Sequence, residues 1–237
     1  MGYYGFGYYF DPTYFLVLIG AVLCIWAQAR VSSTYSKYSK VLSRTGMTGA
    51  QAAQRILQLS GIYDVRIEHV PGNLTDHYDP ANKVLRLSDS VYGSPSVAAI
   101  GVAAHECGHA VQHDKGYGPL KIRTALVPAA NIGSRAGLPL IFLGVFLGMN
   151  QLLIQVGIWV FALAVLFQLV TLPVEFNASG RALAMLGDYG MLGQEETNGC
   201  RKVLGAAALT YVAAAASAIL QLLRLVLLFG NRGNDRD

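Results

Sequence analysis

The stretch "VAAIGVAAHECGHAVQH", residues 97–113, decides how this chain is read. Small apolar residues lead into three histidines spaced four apart, His105, His109 and His113, and Glu106 directly follows the first of them. Ser94 offers an N-cap and Pro95 a residue preset for the first helical position, while Gly116 offers a stop, so the spacing predicts a helix over 95–115. On that helix His105 and His109 lie one turn apart on one face. Two imidazoles so placed reach a single zinc ion at the ~2.0–2.1 Å of a zinc–nitrogen bond. Glu106, beside them, is positioned as general base toward a metal-activated water. His113 continues the face but stands ~12 Å along the axis from His105, beyond the reach of the same ion, and is expected next to the site. The longer motif with a third histidine six residues after His109 is absent, because that position is Lys115.

The apolar run before His105 is too short to cross a bilayer. Only about nine residues lie between Pro95 and His105, and Gln112, His113, Asp114 and Lys115 follow soon after. The run is expected instead as the buried side of an amphipathic helix packed beneath a small domain close to the membrane surface.

Working outward, the chain is 53% hydrophobic and only 14% charged, with a mean hydropathy of +0.40, which turns attention to membrane segments. Four spans are expected, at 13–29, 125–149, 152–173 and 204–229. Asn150 and Gln151 separate the second and third as the turn of a membrane hairpin, and Arg224 lies near enough to the end of the fourth to snorkel. Residues 1–12 contain no Lys or Arg, so the first span reads as a retained anchor with an extracytoplasmic N-terminus rather than a cleaved signal. A short tail, 230–237, closes the chain.

Eleven of the eighteen Lys and Arg residues fall within 30–123, and Arg181, Arg201 and Lys202 fall between the third and fourth spans. Both regions therefore share one side, and basic loops are retained in the cytoplasm, so a multi-pass plasma-membrane protein with a cytoplasmic domain is expected. No basic run interleaved with aromatics accompanies this bias, which argues against a nucleic-acid partner. The three cysteines are odd in number, widely spaced and free of CxxC pairs, as suits a reducing compartment.

Residues 30–124 suffice for one small α+β domain. "TGMTGAQAAQRILQLSGI" (45–62) has a Thr cap, apolar positions at Ala52, Ala53, Ile56, Leu57 and Leu59, and a glycine stop, giving an amphipathic helix. "DVRIEHV" (64–70) alternates as a strand with Val65, Ile67 and His69 on one face, "PGNLTDHYDPAN" (71–82) reads as a loop, and "KVLRLS" (83–88) alternates as a second strand. The fold class expected is a mainly α membrane protein of about four transmembrane helices, plus a small zincin-like α+β domain carrying the HExxH helix.

A catalytic zinc needs a third protein ligand. Glu175, Asp188, Glu195, Glu196 and Asp114 are candidates on the same side. Glu175 is favoured, in a helix launched by Pro173 whose small residues Ala178, Ser179 and Ala182 allow close packing against the motif helix within residues 174–203.

"HECGH" with a downstream "EFNASGRAL", preceded by "LTDHYDPANKVLRLS" and enclosed by apolar spans, resembles the YugP-type membrane zinc metallopeptidases over essentially the whole chain. It is more distantly similar to the HtpX-like and CAAX-prenyl-protease gluzincins. The resemblance implies Zn2+ held by His105, His109 and Glu175, with Glu106 as general base. It also implies that "KVLRLS" is the edge strand against which an extended substrate pairs. The HtpX-like pattern carries an aspartate four residues after the ligand glutamate, where this chain has Ser179, and Asn177 and Arg181 are the nearby polar candidates for its role. His77, Tyr78 and His113 are candidates for stabilising the oxyanion, and Cys107 is expected packed behind the site.

The function expected is a zinc-dependent endopeptidase acting on membrane or membrane-proximal proteins, in contact with the bilayer, with an oligomer left open. Two alternatives stand beside it: a catalytically silent zinc-binding membrane scaffold, and a site-2-like intramembrane protease, which the short apolar run and the lack of an "LDG"-like motif disfavour.

Overall fold

The computed structural model describes residues 11–230, so the expectations for most of the N-terminal segment and of the tail lie outside the described residues. Six helices and three strands follow in the order α1 (Tyr14–Tyr38), α2 (Gly49–Leu59), β1 (Arg66–Val70), β2 (His77–Asp79), β3 (Val84–Ser88), α3 (Val97–Asp114), α4 (Gly118–Phe146), α5 (Gln151–Asp188) and α6 (Gln194–Phe229). Four of them, α1, α4, α5 and α6, are long and apolar enough to cross a membrane.

These four helices overrun the spans expected from hydropathy. α1 continues nine residues past 29, α4 starts seven residues before 125, and α6 starts ten residues before 204. Apolar length marks only the lipid-facing part of a helix, whereas the backbone ladder continues wherever the protein's own domain covers it. Pro173 likewise launches no new helix but lies inside α5, which runs unbroken from the third span into the segment bearing Glu175. Arg224, near the end of α6, is paired: its Nη2 lies 3.2 Å from Asp11 Oδ2 and its guanidinium sits over the Tyr14 ring, tying the far ends of α1 and α6 together.

The hairpin of α4 and α5 turns through Gly148 and Met149, both at positive φ, and Asn150 caps α5 by accepting from the Leu153 N–H at 3.2 Å. The two helices touch backbone to side chain. A Cβ on Gly157 would stand 2.8 Å from the Gly137 carbonyl oxygen, a close approach that only small residues permit.

In the domain, Thr48 and Gln51 form a reciprocal capping box at the start of α2, which buries Ala52, Ala53, Ile56 and Leu57 as its spacing predicts. Leu59, at the last position, faces solvent instead. The sheet has the order β1-β3-β2, with β1 parallel and β2 antiparallel to β3. "KVLRLS" is therefore the middle strand and not an edge. The "HYD" segment inside the expected loop forms β2 and takes up the position left for a substrate, with Val84, Leu85, Leu87 and Ser88 all buried. His69 faces outward, where its Nε2 lies 2.7 Å from Asp89 Oδ1.

α3 starts two residues later than its proline suggests. Residues 41–43 pair with 95–97, through Ser43 N–H to Pro95 O and Val97 N–H to Val41 O, which holds the backbone extended through Ser96. Ser96 then becomes the N-cap, accepting from the Ala99 N–H at 3.2 Å. Nor is α3 amphipathic: fourteen of its eighteen residues are buried, because α2, α5, α6 and the sheet surround it. The motif helix is thus the axis of the core, shared by α2 and the sheet on one side and by α5 and α6 on the other.

Candidate metal centre

His105 and His109 leave α3 toward α5, where Glu175 meets them. Their ligand atoms all lie within 4.8 Å of one another. His105 Nε2 is 3.2 Å and His109 Nε2 3.5 Å from Glu175 Oε2, with the carboxylate almost fully buried. This approach depends on Gly108, since a Cβ there would stand 2.5 Å from the Ala178 carbonyl oxygen of α5. The motif's glycine lets the two helices come close enough for Glu175 to reach the histidines.

Each imidazole is fixed from behind. Gln112, fully buried one turn after His109, donates from Nε2 to the Val174 carbonyl oxygen at 2.8 Å and to Asn177 Oδ1 at 2.9 Å. A carbonyl only accepts, so the amide nitrogen must face α5, and Gln112 Oε1 is left facing His109 Nδ1 at 3.0 Å. His109 therefore donates from Nδ1 and keeps the lone pair on Nε2, toward Glu175. Ser179 Oγ sits 3.1 Å from His105 Nδ1, so the residue standing in place of the expected aspartate takes up the neighbouring histidine itself. Both Nε2 atoms, with a buried carboxylate between them, form a donor set suited to zinc.

Electrostatics follow from this packing. Burial opposes a charged imidazole at His109, but hydrogen bonding to Glu175 and the negative charge of Glu106 outweigh it and raise its pKa. Arg123 of α4 reaches within 3.8 Å of Glu175 Oε1, its Nε buried without a partner, and Tyr211 of α6 faces the same carboxylate. Glu106 is buried on α3 next to the pair. Cys107 packs against α2, its Sγ 3.6 Å from the Ala53 carbonyl oxygen, and burial pushes its thiol well above the usual range.

The remaining candidates separate. Tyr78 Oη lies 2.9 Å from His113 Nδ1, joining β2 to the end of α3, and burial with nearby Asp64, Asp79 and Asp114 pushes its phenol up to about 12. His77 alternates to the other face of β2, with Nδ1 2.9 Å from the Thr75 carbonyl oxygen and Nε2 beside Arg86, away from the metal group. Asn177 Oδ1 accepts from Arg181 Nε at 2.8 Å as well as from Gln112, so this pair acts through the glutamine. Asp114 pairs with Lys115, Glu195 lies 4.0 Å from Arg44, Glu196 caps α6 by accepting from Gly193 N–H, and Asp188 lines a separate surface cavity with Tyr189. Among the described residues none of these four joins the histidine pair.

The sequence offered a weak signal for Gln112, as the polar residue one turn after His109, and none for Arg123 or Tyr211, which tertiary packing alone brings in.

Residues 13–230 match the family model described as "Putative neutral zinc metallopeptidase". The chain is 50% identical, over 94% of its length and 98% of the relative's, to "Putative membrane protease YugP" of Bacillus subtilis (strain 168). No solved structure matches. With four helices able to cross a bilayer and a buried His-His-Glu group, the chain is a membrane protein that belongs to this neutral zinc metallopeptidase family.

Proposed function

We propose that this protein is a zinc-dependent membrane endopeptidase of the gluzincin type, whose zincin-like cytoplasmic domain cuts membrane or membrane-proximal proteins. The observation that carries this is the convergence of His105, His109 and Glu175, with both imidazole Nδ1 atoms held and both Nε2 atoms turned to one point. His105 and His109 would hold the ion by Nε2 and Glu175 by its carboxylate. Zinc bound there supplies a Lewis acid and lowers the pKa of a water molecule toward neutrality.

Glu106, the next residue after His105, takes the proton from the attacking water and returns it to the departing amine. Gln112 and Ser179 keep the imidazoles in register through the cycle, and Gln112 fixes the His109 tautomer. Arg123 offsets the charge of Glu175. The Tyr78–His113 pair stands at the C-terminal end of the motif helix, where Tyr78, its proton strongly retained, is suited to donate a hydrogen bond to a developing oxyanion.

The concentration of Lys and Arg in 30–123 and between α5 and α6 supports a cytoplasmic domain at the plasma membrane. The burial of α3 among α5 and α6 supports cleavage close to the bilayer.

The test is Glu106→Gln in the full chain, reconstituted with peptide-library and unfolded membrane-protein substrates. Cleavage read by mass spectrometry should fall by about 10²–10⁴-fold with zinc content unchanged. Full activity in that variant overturns the assignment. Glu175→Ala, by contrast, should lose the metal itself.

A further inference from the structure

We propose that an anionic phospholipid binds along α6, with its phosphate between α1 and α6 and an acyl chain between α5 and α6. Two cavities meet on this helix. The first, of about 450 Å³, is walled by Arg30, Ser33, Thr34 and Lys37 of α1 and by Lys202 and Gly205 of α6. The second, of about 320 Å³, is lined by Phe176 and Leu183 of α5 and by Ala208, Leu209 and Val212 of α6. Gly205 and Leu209 border both, so the two form one path across an exposed glycine.

The chemistry divides as a phospholipid does. Arg30, Ser33, Thr34 and Lys37 lie on one face of α1 at helical spacing, and they present two cations and two hydroxyls opposite Lys202. No carboxylate lines either cavity, and among the described residues Arg30, Lys37 and Lys202 make no ion pair. Three uncompensated cations around small polar donors suit a phosphate. The second cavity is apolar, with only Arg201 and Ser179 breaking the run.

Depth favours a lipid over a free anion. The uncharged part of α1 ends at residue 29, Trp26 is exposed one turn before Arg30, and aromatic residues of this kind mark the headgroup level. The basic cavity thus opens where lipid phosphates lie, and the apolar cavity lies beside it across α6, reaching about one turn further along the helix to Val212.

The full chain in neutral detergent, titrated with phosphatidylglycerol, with phosphatidylcholine of the same acyl chains, and with inorganic phosphate, tests this. Bound lipid is counted by native mass spectrometry and the melting midpoint is followed alongside. Phosphatidylglycerol should be retained in preference and raise the midpoint, and inorganic phosphate should not reproduce the rise. Each basic side chain at an anionic headgroup is worth about fivefold, so the R30Q/K37Q/K202Q variant should lose affinity on the order of a hundredfold. Gly205→Phe should block the path, since open space surrounds a Cβ at that position and the fold is spared. Lys40→Gln, off the cavity, should change nothing. The proposal is overturned if phosphatidylcholine binds equally, if inorganic phosphate gives the same shift, or if both the triple variant and Gly205→Phe bind phosphatidylglycerol as the parent does.

Discussion

Gln112 Oε1 lies 3.0 Å from His109 Nδ1, while the nitrogen of the same amide is committed to the Val174 carbonyl oxygen of α5. One buried side chain therefore sets the tautomer of a histidine on α3 and also registers α3 against the helix that carries Glu175. Ser179 holds the His105 ring from α5, its Oγ 3.1 Å from Nδ1. The two partners act from opposite helices, so the metal group tightens only when α3 and α5 are docked.

Removing either partner should loosen the metal without removing a ligand. Ser179→Ala and Gln112→Leu are each expected to weaken zinc binding by about 10–100-fold, as measured by competition with a chromophoric chelator. Gln112→Leu carries an added cost of about 1–3 kcal/mol in stability, because the Val174 carbonyl oxygen and Asn177 lose a buried donor. Unchanged zinc affinity in both variants would contradict the imidazole geometry described above.

Gly108→Ala should disrupt the centre from a position that bears no ligand atom. The new Cβ meets the Ala178 backbone oxygen at 2.5 Å, so α3 and α5 must separate and Glu175 withdraws from the histidines. Zinc content after purification should fall steeply. Gly187→Ala, near the end of α5 with nothing within 4 Å of its Cβ, is the matched control and should be neutral or gain about 0.5–1 kcal/mol from helix propensity.

The contrast between these glycines shows where sequence reading reached and where it stopped. The HECGH spacing located a helix face and two imidazoles because a 3.6-residue period leaves little choice. The four apolar helices were legible for the same reason, as lipid imposes length and composition together. Strand β2 was not legible: three residues, His77 to Asp79, give no period to count, and the hairpin turn after them looks like any loop. Its presence moved "KVLRLS" from the edge to the middle of the sheet. The start of α3 was misplaced because Pro95 fits a first helical turn, and only the pairing of residues 41–43 with 95–97 holds it extended. Partners such as Arg123, distant in sequence from Glu175, depend on how the α4–α5 hairpin closes.

The sheet should carry an acid sensitivity that can be assigned to Asp79. The Asn82 amide, followed by the Arg86 guanidinium and backbone donors, holds this carboxyl well below the usual carboxylate range. A depressed folded pKa stabilises above the unfolded value of about 3.9 and is lost as pH falls through the folded value. The melting midpoint should thus be insensitive to this group between pH 7 and pH 5 and decline below about pH 4. Asp79→Asn should show a shallower decline in melting scans across that range, and an identical profile would remove Asp79 from the account.

At the far end of the bundle, Asp11 and Arg224 hold α1 to α6, and the Tyr14 ring covers the guanidinium. Arg224 is largely enclosed, and its Nε already lacks a partner, so it depends on Asp11 for compensation. Removing one member of an enclosed pair strands the other charge, whereas replacing both with neutral groups does not. Asp11→Asn should therefore lower the melting midpoint of the detergent-solubilised chain. The double variant Asp11→Asn/Arg224→Met should recover most of that loss, since methionine fills the volume without a charge. Additive effects of the two substitutions would mean that each residue acts alone, and that the contact contributes nothing to the packing of α1 on α6.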